Sequence, residues 1–499
     1  MSKFRFWPVM GGAIFALLCY FPLFLHLGTL SLRLWDESRR GVNALEMATN
    51  GHWLVPYFGG APDMWGTKPP LLVWLQAICM KIVGYNELAV RLPSALAGVA
   101  TVFLLVWFAQ KVLHRPLAGF FAGLVLLTSD IYIESHGAIS GDYDALLALW
   151  QTAYLLTFYR YLEDRRPQLL YLTGLFIFFA AFTKGVAGFF FLPALAVYAL
   201  WRRELLPLLR GKQTYWTILA VIGALLSYYF LREAVNPGYL QAVWENELGG
   251  RYFEAKEGQA QPFWFYFQSI FQFDLYSPWV YLVPIAFLVG FLQKELRHLT
   301  VLFAINFVLF FGVISFAQTK LTWYFMPILP SISLLVGLLI QETYQALRTH
   351  LQLSQPSLRR ALLIVFSLTI FTLPYRRIIE KVYVFEHQGY LKEKMDYRDF
   401  LRTVPEEKAV TIFHPYYNGH VAFYQALYNQ NGYEIKDKML HAPQPGVLPT
   451  QPEVPPTFQS GEKVILCETD PWTYLSSNYY WEIQREWKGC KLILVQGER

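Results

Sequence analysis

Long apolar segments recur along this chain, and they restrict its fold more than any other feature. A helix that crosses a bilayer needs about 20 mostly apolar residues. Segments of that kind follow one another over most of the sequence, which predicts about 11 transmembrane helices. The predicted spans lie near residues 8–30, 90–110, 117–134, 145–162, 169–183, 186–201, 215–235, 278–293, 299–317, 322–341 and 361–375.

The composition agrees with a membrane protein. Hydrophobic residues make up 55% of the 499 positions and charged residues only 16%, whereas a soluble globular protein carries roughly 25% charged residues. Much of the surface therefore faces lipid, and we expect a mostly α, polytopic membrane protein. The net charge of +6 is modest, and its basic residues are distributed by membrane side, so nucleic acid is not an expected partner.

The N-terminal segment MSKFRFWPVMGGAIFALLCYFPLFLHLG has a basic start and an apolar core, as a cleavable signal peptide does. Its apolar stretch is too long for such a peptide, and it lacks a small-residue cleavage site. We therefore expect an uncleaved first span.

One further apolar segment, PPLLVWLQAICMKIVG from Pro69, is short and is interrupted by Gln76 and Lys81. Cytoplasmic loops carry an excess of lysine and arginine. If this segment does not cross the membrane and the N-terminus is cytoplasmic, the basic clusters lie on the cytoplasmic side. If the segment crosses, all of these clusters lie on the outer side. We therefore expect an interfacial helix in a first outer loop, residues 31–89. The clusters placed inside are Lys111, Arg115, Arg160, Arg165, Arg166, Arg202, Arg203, Arg210, Lys212, Lys294, Arg297, Arg348, Arg359 and Arg360.

This topology places the C-terminus outside the membrane. It divides the chain into a transmembrane module, residues 1–376, and an exterior region, residues 377–499. The exterior region contains the strand-like runs AVTIFH, EKVILC and KLILVQ and the helix-like run YNGHVAFYQALYN, which predict a small α/β domain. Cys467 and Cys490 lie in this region, and the sequence leaves open whether they form a disulfide.

Few charges remain on the outer side, each next to glycine, proline or aromatic residues at a membrane edge. Ionisable groups at such a depth are costly and are by default candidates for function. Lysine and arginine at this depth can bind an anionic lipid head group such as a phosphate. They also neutralise the charge that develops on the phosphate when it acts as the leaving group. A neighbouring carboxylate suits a general base for an incoming hydroxyl. The outer charges are Asp36, Glu37, Arg39, Arg40, Lys68, Asp142, Asp144, Lys184, Glu245, Glu247, Arg251 and Lys320.

Structural roles are an alternative for each of these residues taken singly. Asp36, Glu37 and Ser38 are suited to cap the helix that runs through RGVNALEMA, and Asp142 and Asp144 to cap the span that follows them. Lys184 and Lys320 are suited to snorkel from the ends of spans. The confinement of the charges to one side favours chemistry on a phospholipid-linked donor at the outer leaflet.

The stretch WDESRRGVNALEMATNGHWLVPYF, followed by TKPPLLVWLQAICMKIVGYNELAVRLPSALAG, resembles the first outer loop of a known superfamily. This is the aminoarabinose-transferase and protein O-mannosyltransferase superfamily of GT-C glycosyltransferases, which use polyprenyl-phosphate sugars. The motifs SGDYDALLALW, TKG, QPFWFYF…SPW and TKLTWYFMPILP follow in the family's order. The resemblance implies the GT-C fold and a juxtamembrane helix at the KPP motif.

The resemblance also implies roles for individual residues. Asp36 corresponds to the catalytic aspartate, which activates the acceptor, and Asp142 to a second outer-loop acid that positions acceptor or donor. Lys68 of the KPP motif corresponds to a ligand of the lipid phosphate. Further donor-phosphate ligands are Lys184, Arg251, Lys320 and Tyr324, and supporting residues are Glu37, Arg39, Arg40 and Glu247.

Two departures from the family pattern concern a metal site. Many relatives carry an acidic residue just before KPP, where this chain has Thr67. Some relatives also carry a histidine in the loop that here reads ENELGGRYF. We therefore name no cofactor, and a divalent metal stays the alternative that these two departures leave open.

The resulting hypothesis is a glycosyltransferase of the inner membrane. It would move a sugar from an undecaprenyl- or dolichyl-phosphate carrier to a lipid such as lipid A, a glycan or a protein on the outer, periplasmic face. With Asp36 as the one general base, a single inverting displacement is the simplest mechanism. The alternatives are a transporter or flippase for a lipid phosphate, which would favour internal repeats and charges near the bilayer midplane, and an inactive scaffold.

Overall fold

In the computed structural model, the described residues are 6–134, 136–249, 260–272, 276, 278–384, 394, 396–441 and 456–499. The chain divides into two compact units. The first unit comprises the residues up to Leu25, Thr67–Leu72 and Pro93–Tyr383. The second unit comprises His26–Gly66, Val73–Leu92 and Val384–Arg499.

Helices dominate the chain, as its apolar segments predict. Short 3-10 segments lie at Gly185–Phe189, Trp279–Leu282 and Thr322–Ile328, and a π-helical turn lies at Trp244–Leu248. The α-helices are α1 (Phe6–Phe24), α2 (Asp36–Asn50), α3 (Leu71–Val83), α4 (Glu87–Lys111), α5 (Pro116–Leu127), α6 (Asp130–Ile133), α7 (Asp144–Asp164), α8 (Pro167–Lys184), α9 (Leu192–Trp201), α10 (Leu205–Arg210), α11 (Lys212–Val235), α12 (Tyr239–Val243), α13 (Phe265–Gln272), α14 (Val283–Leu292), α15 (Arg297–Phe316), α16 (Leu329–His350), α17 (Pro356–Val384), α18 (Tyr397–Leu401), α19 (Gly419–Gln430) and α20 (Thr469–Asn478).

Six helical segments of the described chain are long and apolar enough to cross a membrane. The chain is therefore a multi-pass membrane protein, while the number of about 11 spans stays a prediction. Helix α3 has 13 residues, fewer than the about 20 that a crossing helix needs, which fits the interfacial helix predicted at the KPP motif. The six segments are Glu87–Lys111, Pro167–Phe189, Lys212–Val235, Arg297–Phe316, Thr322–His350 and Pro356–Val382.

Close backbone contact joins two helices of the first unit. Gly337 of α16 faces α5 so closely that an added Cβ would lie 2.5 Å from the carbonyl oxygen of Ala118. The Gln341 side chain, farther along α16, accepts a hydrogen bond from the backbone N–H of Ala118 at 2.9 Å. Small residues and polar bonds of this kind hold helices together in lipid, where burial of apolar surface between helices contributes little.

The C-terminal part of the second unit forms a five-stranded sheet with the order β4-β3-β5-β7-β6. Strand β3 runs parallel to its neighbours β4 and β5, whereas β7 is antiparallel to β5 and β6. The predicted runs AVTIFH, EKVILC and KLILVQ lie in β3, β5 and β7, and the predicted helical run contains most of α19. The strands of the chain are β1 (Tyr57–Phe58), β2 (Ala61–Pro62), β3 (Ala409–His414), β4 (Glu434–Met439), β5 (Lys463–Leu466), β6 (Tyr479–Trp487) and β7 (Cys490–Glu498).

The first outer loop and the C-terminal sheet share one hydrophobic core inside the second unit. Leu45 and Met47 of α2 are buried in the same cluster as Ile412 of β3 and Phe423 of α19. Gly41 allows the close approach of α2 to α19, because an added Cβ there would lie 2.9 Å from the Phe423 ring. The C-terminal region therefore fixes the helix that carries the DESRR motif.

Cys467 and Cys490 form a disulfide, which answers the question that the sequence left open. Leu466 pairs with Lys491 in the ladder between β5 and β7, so the two cysteines continue that ladder by one position. Both cysteines are buried in the core shared with α2. Disulfides form and persist in oxidising compartments outside the cytoplasm.

His420 of α19 is buried in its neutral form. Its Nδ1 lies 2.9 Å from the carbonyl oxygen of Leu32, to which it donates, and its Nε2 accepts from the backbone N–H of Arg398 at 3.4 Å. Burial lowers the pKa of His420 from 6.5 to about 4, with help from the Arg398 guanidinium. A second ring proton, on Nε2, would point at the backbone N–H of Arg398, so Nε2 could no longer accept that hydrogen bond.

We expect the free energy of unfolding to fall by about 3 kcal/mol as the pH is lowered from 6.5 to 4. The unfolded chain binds a proton on His420 in this range and the folded chain does not, so the stabilisation is complete above pH 6.5. Denaturant unfolding in detergent should show a free energy of unfolding that falls as the pH is lowered across this range. His420→Gln should remove this pH dependence. His52→Gln, at an exposed position, should retain it. An unchanged pH dependence in His420→Gln would contradict this assignment.

Candidate active site

Helix α2 begins at Asp36, directly after the first hydrophobic segment, and ends at Asn50, where Gly51 adopts φ 75. Glu37 accepts the backbone N–H of Arg33, which precedes the helix, at 2.6 Å, so this contact is not the helix cap that the sequence allowed for the acidic pair. Trp35 occupies the N-cap position, and no side chain caps it. The Asp36 side chain is 43% exposed, with the Arg40 guanidinium 3.7 Å from its carboxylate.

Glu37 is buried in an ion pair with Arg91, the arginine of the sequence AVRLPSALAG. The Arg91 Nε donates to one carboxylate oxygen at 2.7 Å and Nη2 to the other at 3.0 Å. Burial alone would raise the pKa of Glu37, but Arg91, assisted by Arg33, outweighs it and holds the pKa below its ordinary value. Glu37 was expected to support the site, and its contacts with Arg91 stabilise the fold around it.

Arg39 is paired with Asp63, an acid that the sequence analysis did not single out. Its guanidinium donates to both Asp63 oxygens, at 2.6 and 3.1 Å. Asp63 also accepts the backbone N–H groups of Trp65 and Gly66 at 3.0 and 2.9 Å. Burial would raise the pKa of Asp63, yet Arg39 lowers it well below its usual range. This ionised carboxylate therefore orders the loop that precedes the KPP motif.

In the first unit, Lys68 of the KPP motif lies beside Glu247. The Lys68 Nζ is 3.2 Å from a carboxylate oxygen of Glu247, and the Thr67 hydroxyl donates to the same oxygen at 2.9 Å. The Lys68 ammonium also lies 5.7 Å from the centre of the Tyr143 ring. A carboxylate from the π-helical turn Trp244–Leu248 thus lies next to both Thr67 and Lys68.

Two acidic residues at the start of α7 have different partners. Asp144 accepts from the Lys184 ammonium through both oxygens, at 2.5 and 2.6 Å, and Lys184 lies 5.4 Å from the centre of the Tyr324 ring. Asp142 pairs with Nδ1 of His136, a residue that the sequence analysis missed. The His136 ring stacks on Trp323, with centroids 3.7 Å apart.

The remaining two predicted phosphate ligands differ in what the structure describes. The Lys320 ammonium donates to the backbone carbonyls of Gln261 and Ala317 at 2.8 and 2.6 Å. These contacts order a loop at the end of α15. Arg251 lies outside the described residues. The structure thus brings Lys68 to Glu247 and Lys184 to Tyr324, and the assignment of these residues to a donor phosphate stays a prediction.

A family model described as dolichyl-phosphate-mannose-protein mannosyltransferase matches residues 67–230. Among curated proteins, the undecaprenyl phosphate-alpha-4-amino-4-deoxy-L-arabinose arabinosyl transferase of Shewanella sediminis is 29% identical over 331 residues, covering 63% of this chain and 58% of the relative. A transferase of the same description from Pseudomonas fluorescens is 28% identical over 337 residues, covering 65% and 57%. The chain spans less than two thirds of the length of these relatives.

Among solved structures, ArnT from Cupriavidus metallidurans bound to undecaprenyl phosphate matches with a TM-score of 0.66 at 15% identity, covering 99% of this chain and 98% of that one. Its apo form gives a TM-score of 0.64 at 16% identity. At these identities the likeness shows a common fold. Together with the sequence relatives, it confirms the resemblance to the aminoarabinose-transferase-like superfamily.

Proposed function

We propose that this relative of the aminoarabinose transferases is an integral-membrane glycosyltransferase that takes a sugar from undecaprenyl phosphate. The ArnT structure that shares its fold holds undecaprenyl phosphate. The curated relatives are named for the 4-amino-4-deoxy-L-arabinose derivative of that lipid. An aminopentose on undecaprenyl phosphate is therefore the donor to test first, with hexose donors second.

The observation that carries the proposal is the state of the charged residues in DESRR. Glu37 and Arg39 are buried in ion pairs with Arg91 and Asp63. Asp36 alone of the two acids keeps a half-exposed carboxylate. A loop ordered by buried ion pairs, with one carboxylate presented outward, suits a general base that must be held in place and still reach its substrate.

In the proposed reaction, Asp36 removes the proton of an acceptor hydroxyl while the hydroxyl oxygen attacks the anomeric carbon of the donor. The bond from that carbon to the phosphate oxygen breaks, and the lipid phosphate leaves with the electron pair. Lys68 neutralises the charge on the departing phosphate, with Lys184, Arg251, Lys320 and Tyr324 as further ligands. One displacement inverts the anomeric configuration.

We further propose that the chain lies in the inner membrane with a cytoplasmic N-terminus and an exterior, periplasmic C-terminal region. The basic clusters between the predicted spans support this orientation. The Cys467–Cys490 disulfide supports an oxidising location for the C-terminal sheet. The reaction would then take place on the outer face.

The proposal is tested with the full-length protein in nanodiscs, supplied with radiolabelled undecaprenyl-phosphate sugars and extracted envelope lipids. We expect label to move from the donor to an acceptor in the native protein and not in empty nanodiscs. If no sugar moves but labelled donor lipid crosses the bilayer, the protein is a transporter and the enzyme proposal is wrong.

Lys68→Ala should weaken the binding of undecaprenyl phosphate about 10- to 100-fold, because hydrogen bonds to charged groups contribute about 1.5–3 kcal/mol. Glu247→Gln should tighten it about threefold, because it removes a negative charge beside the Lys68 ammonium. Both effects are measured as the Kd of undecaprenyl phosphate in nanodiscs. Glu245→Gln, at an exposed position in the same π-helical turn, should leave the Kd unchanged. Unaltered binding in Lys68→Ala would remove Lys68 from the phosphate site.

A further inference from the structure

Tyr239 of α12 is bonded to the backbone of the residue that precedes the KPP motif. Its hydroxyl donates to the carbonyl oxygen of Thr67 at 2.7 Å, across 172 positions of sequence. Both residues are buried in the first unit. A buried carbonyl that loses its donor is costly, because water does not replace the bond. The KPP loop is therefore tied to α12 through its backbone.

The Tyr239 ring is held by two neighbours on α11. The Arg232 guanidinium lies 3.8 Å from the ring centre, and the Tyr229 ring stacks on it with centroids 5.8 Å apart and planes that differ by 16°. Arg232 is itself buried and donates to the Tyr228 hydroxyl at 3.1 Å. The attraction between a cation and an aromatic face is strongest where both are shielded from water. These contacts therefore keep the Tyr239 hydroxyl directed at Thr67.

The turn between α11 and α12 fixes the position of Tyr239. Gly238, which precedes it, has a φ of 91, and glycine adopts this conformation without strain. The Glu233 carboxylate accepts the backbone N–H groups of Gly238 and Leu240 at 2.9 and 2.7 Å. One side chain thus closes the turn on both sides of Tyr239, so the start of α12 has a single defined conformation.

The segment that follows Tyr239 contacts the same loop a second time. The π-helical turn Trp244–Leu248 continues α12 and carries Glu247, which accepts the Thr67 hydroxyl at 2.9 Å and lies 3.2 Å from the Lys68 ammonium. On the other side, Lys68 precedes Pro69, and a residue before proline is restricted to extended conformations. The backbone of Lys68 is therefore held from both sides, which leaves its side chain as the part that can move.

We propose that Tyr239 is a positioning residue for Lys68. Its bond to the Thr67 carbonyl fixes the backbone from which Lys68 extends its ammonium to the donor phosphate. This inference rests on the proposed function, in which Lys68 binds that phosphate, and it adds a residue that lies outside the sequence motifs of the site.

The two contacts of the loop act on phosphate binding with opposite signs. Glu247 competes with the phosphate for the Lys68 ammonium, because both are anions. The bond from Tyr239 involves only the backbone carbonyl of Thr67, so it persists when the ammonium turns from the carboxylate to the phosphate. A lysine whose backbone is already fixed loses less conformational freedom on binding. Loss of the Tyr239 bond should therefore weaken binding, whereas loss of the Glu247 charge should strengthen it.

The test is Tyr239→Phe in the full-length protein, which removes the hydroxyl and keeps the ring beside Arg232. We expect the Kd of undecaprenyl phosphate in nanodiscs to rise about fivefold, the loss typical of one neutral hydrogen bond. Combined with Lys68→Ala, the same change should add no further loss, because the side chain through which Tyr239 acts is then absent.

Tyr344→Phe makes the same change at a matched site, because Tyr344 of α16 is buried and its hydroxyl donates to the backbone carbonyl of Arg359 at 3.0 Å. Both variants should lower the denaturant midpoint to a similar extent. Only Tyr239→Phe should raise the Kd, so the effect on binding is separated from the loss of stability.

A native Kd in Tyr239→Phe would overturn the inference, as would a loss of equal size in the Lys68→Ala background. Native binding by Lys68→Ala would overturn it too, because Tyr239 then acts on no phosphate ligand. The glycosyltransferase proposal stands in all three cases. If the native protein transfers no sugar from any donor, the proposed function itself fails, and the Kd values still report whether Tyr239 acts through Lys68. Absence of undecaprenyl phosphate binding by the native protein would contradict both.

Discussion

Asp36→Asn should lower the kcat of sugar transfer about 1,000-fold and leave the Kd of undecaprenyl phosphate unchanged. A positioned general base contributes typically about 100- to 10,000-fold to a rate, and asparagine keeps the size of the side chain but cannot accept the proton. The buried pairs of Glu37 and Arg39 do not involve Asp36, so the loop should keep its conformation. Single-turnover transfer from radiolabelled donor in nanodiscs measures the effect.

Asp470→Asn is the matched control, because it makes the same chemical change at an exposed acid in the first turn of α20. Its kcat should equal the native value. If Asp36→Asn retains more than a tenth of the native kcat, the base lies elsewhere. If it loses donor binding together with transfer, Asp36 contributes to the donor site and the assignment as base is wrong.

Hydrophobic periodicity and length were sufficient to predict the membrane class of this chain and much of its C-terminal sheet. The buried strand β3 and the apolar strand β7 carry runs such as AVTIFH and KLILVQ, which identify strands by composition. The strands β4 and β6 were not predicted. Both lie at the edges of the sheet, where exposed positions are filled by charged residues, so their sequences EIKDKM and YYWEIQREW lack the apolar pattern of a strand.

The sequence could not show which charges around the first loop are used in structure. Glu37 and Arg91 are separated by 54 positions, and Arg39 and Asp63 by 24. Neither spacing is that of neighbours on a helix, so only the fold brings the partners together. The charge-rich appearance of DESRR therefore arises largely from buried ion pairs, which leave Asp36 as the half-exposed acid of the motif.

The position of Glu247 shows the same limit at the KPP motif. This chain has Thr67 where the family pattern carries an acid in many relatives. In the first unit, a carboxylate from a residue 180 positions away accepts the Thr67 hydroxyl and lies next to Lys68. A carboxylate from the π-helical turn Trp244–Leu248 thus lies beside the motif, and no pattern within the motif indicates it.

Arg91→Met should lower the free energy of unfolding of the second unit by about 3–5 kcal/mol, because removal of one partner leaves a buried charge without compensation. Arg91 donates to both oxygens of Glu37 and to the backbone carbonyls of Leu27, Leu30 and Ser31. Methionine fills a similar volume and replaces none of these bonds. Denaturant unfolding in detergent micelles measures the loss, and hydrogen exchange of α2 should accelerate with it.

Arg402→Met is the control for loss of a half-exposed arginine, whose buried partner Glu87 keeps its ion pair with Arg398 at 2.9 Å. The Arg402 side chain is 53% exposed and lies 3.4 Å from Glu87, so we expect a cost below about 1 kcal/mol. The double variant Arg91→Met with Glu37→Leu should recover much of the stability, since an apolar pair can replace a buried ion pair at little cost. If Arg91→Met costs no more than Arg402→Met, the buried pair does not fix α2, and the order of the loop that presents Asp36 must come from Asp63 and the packing against α19 instead.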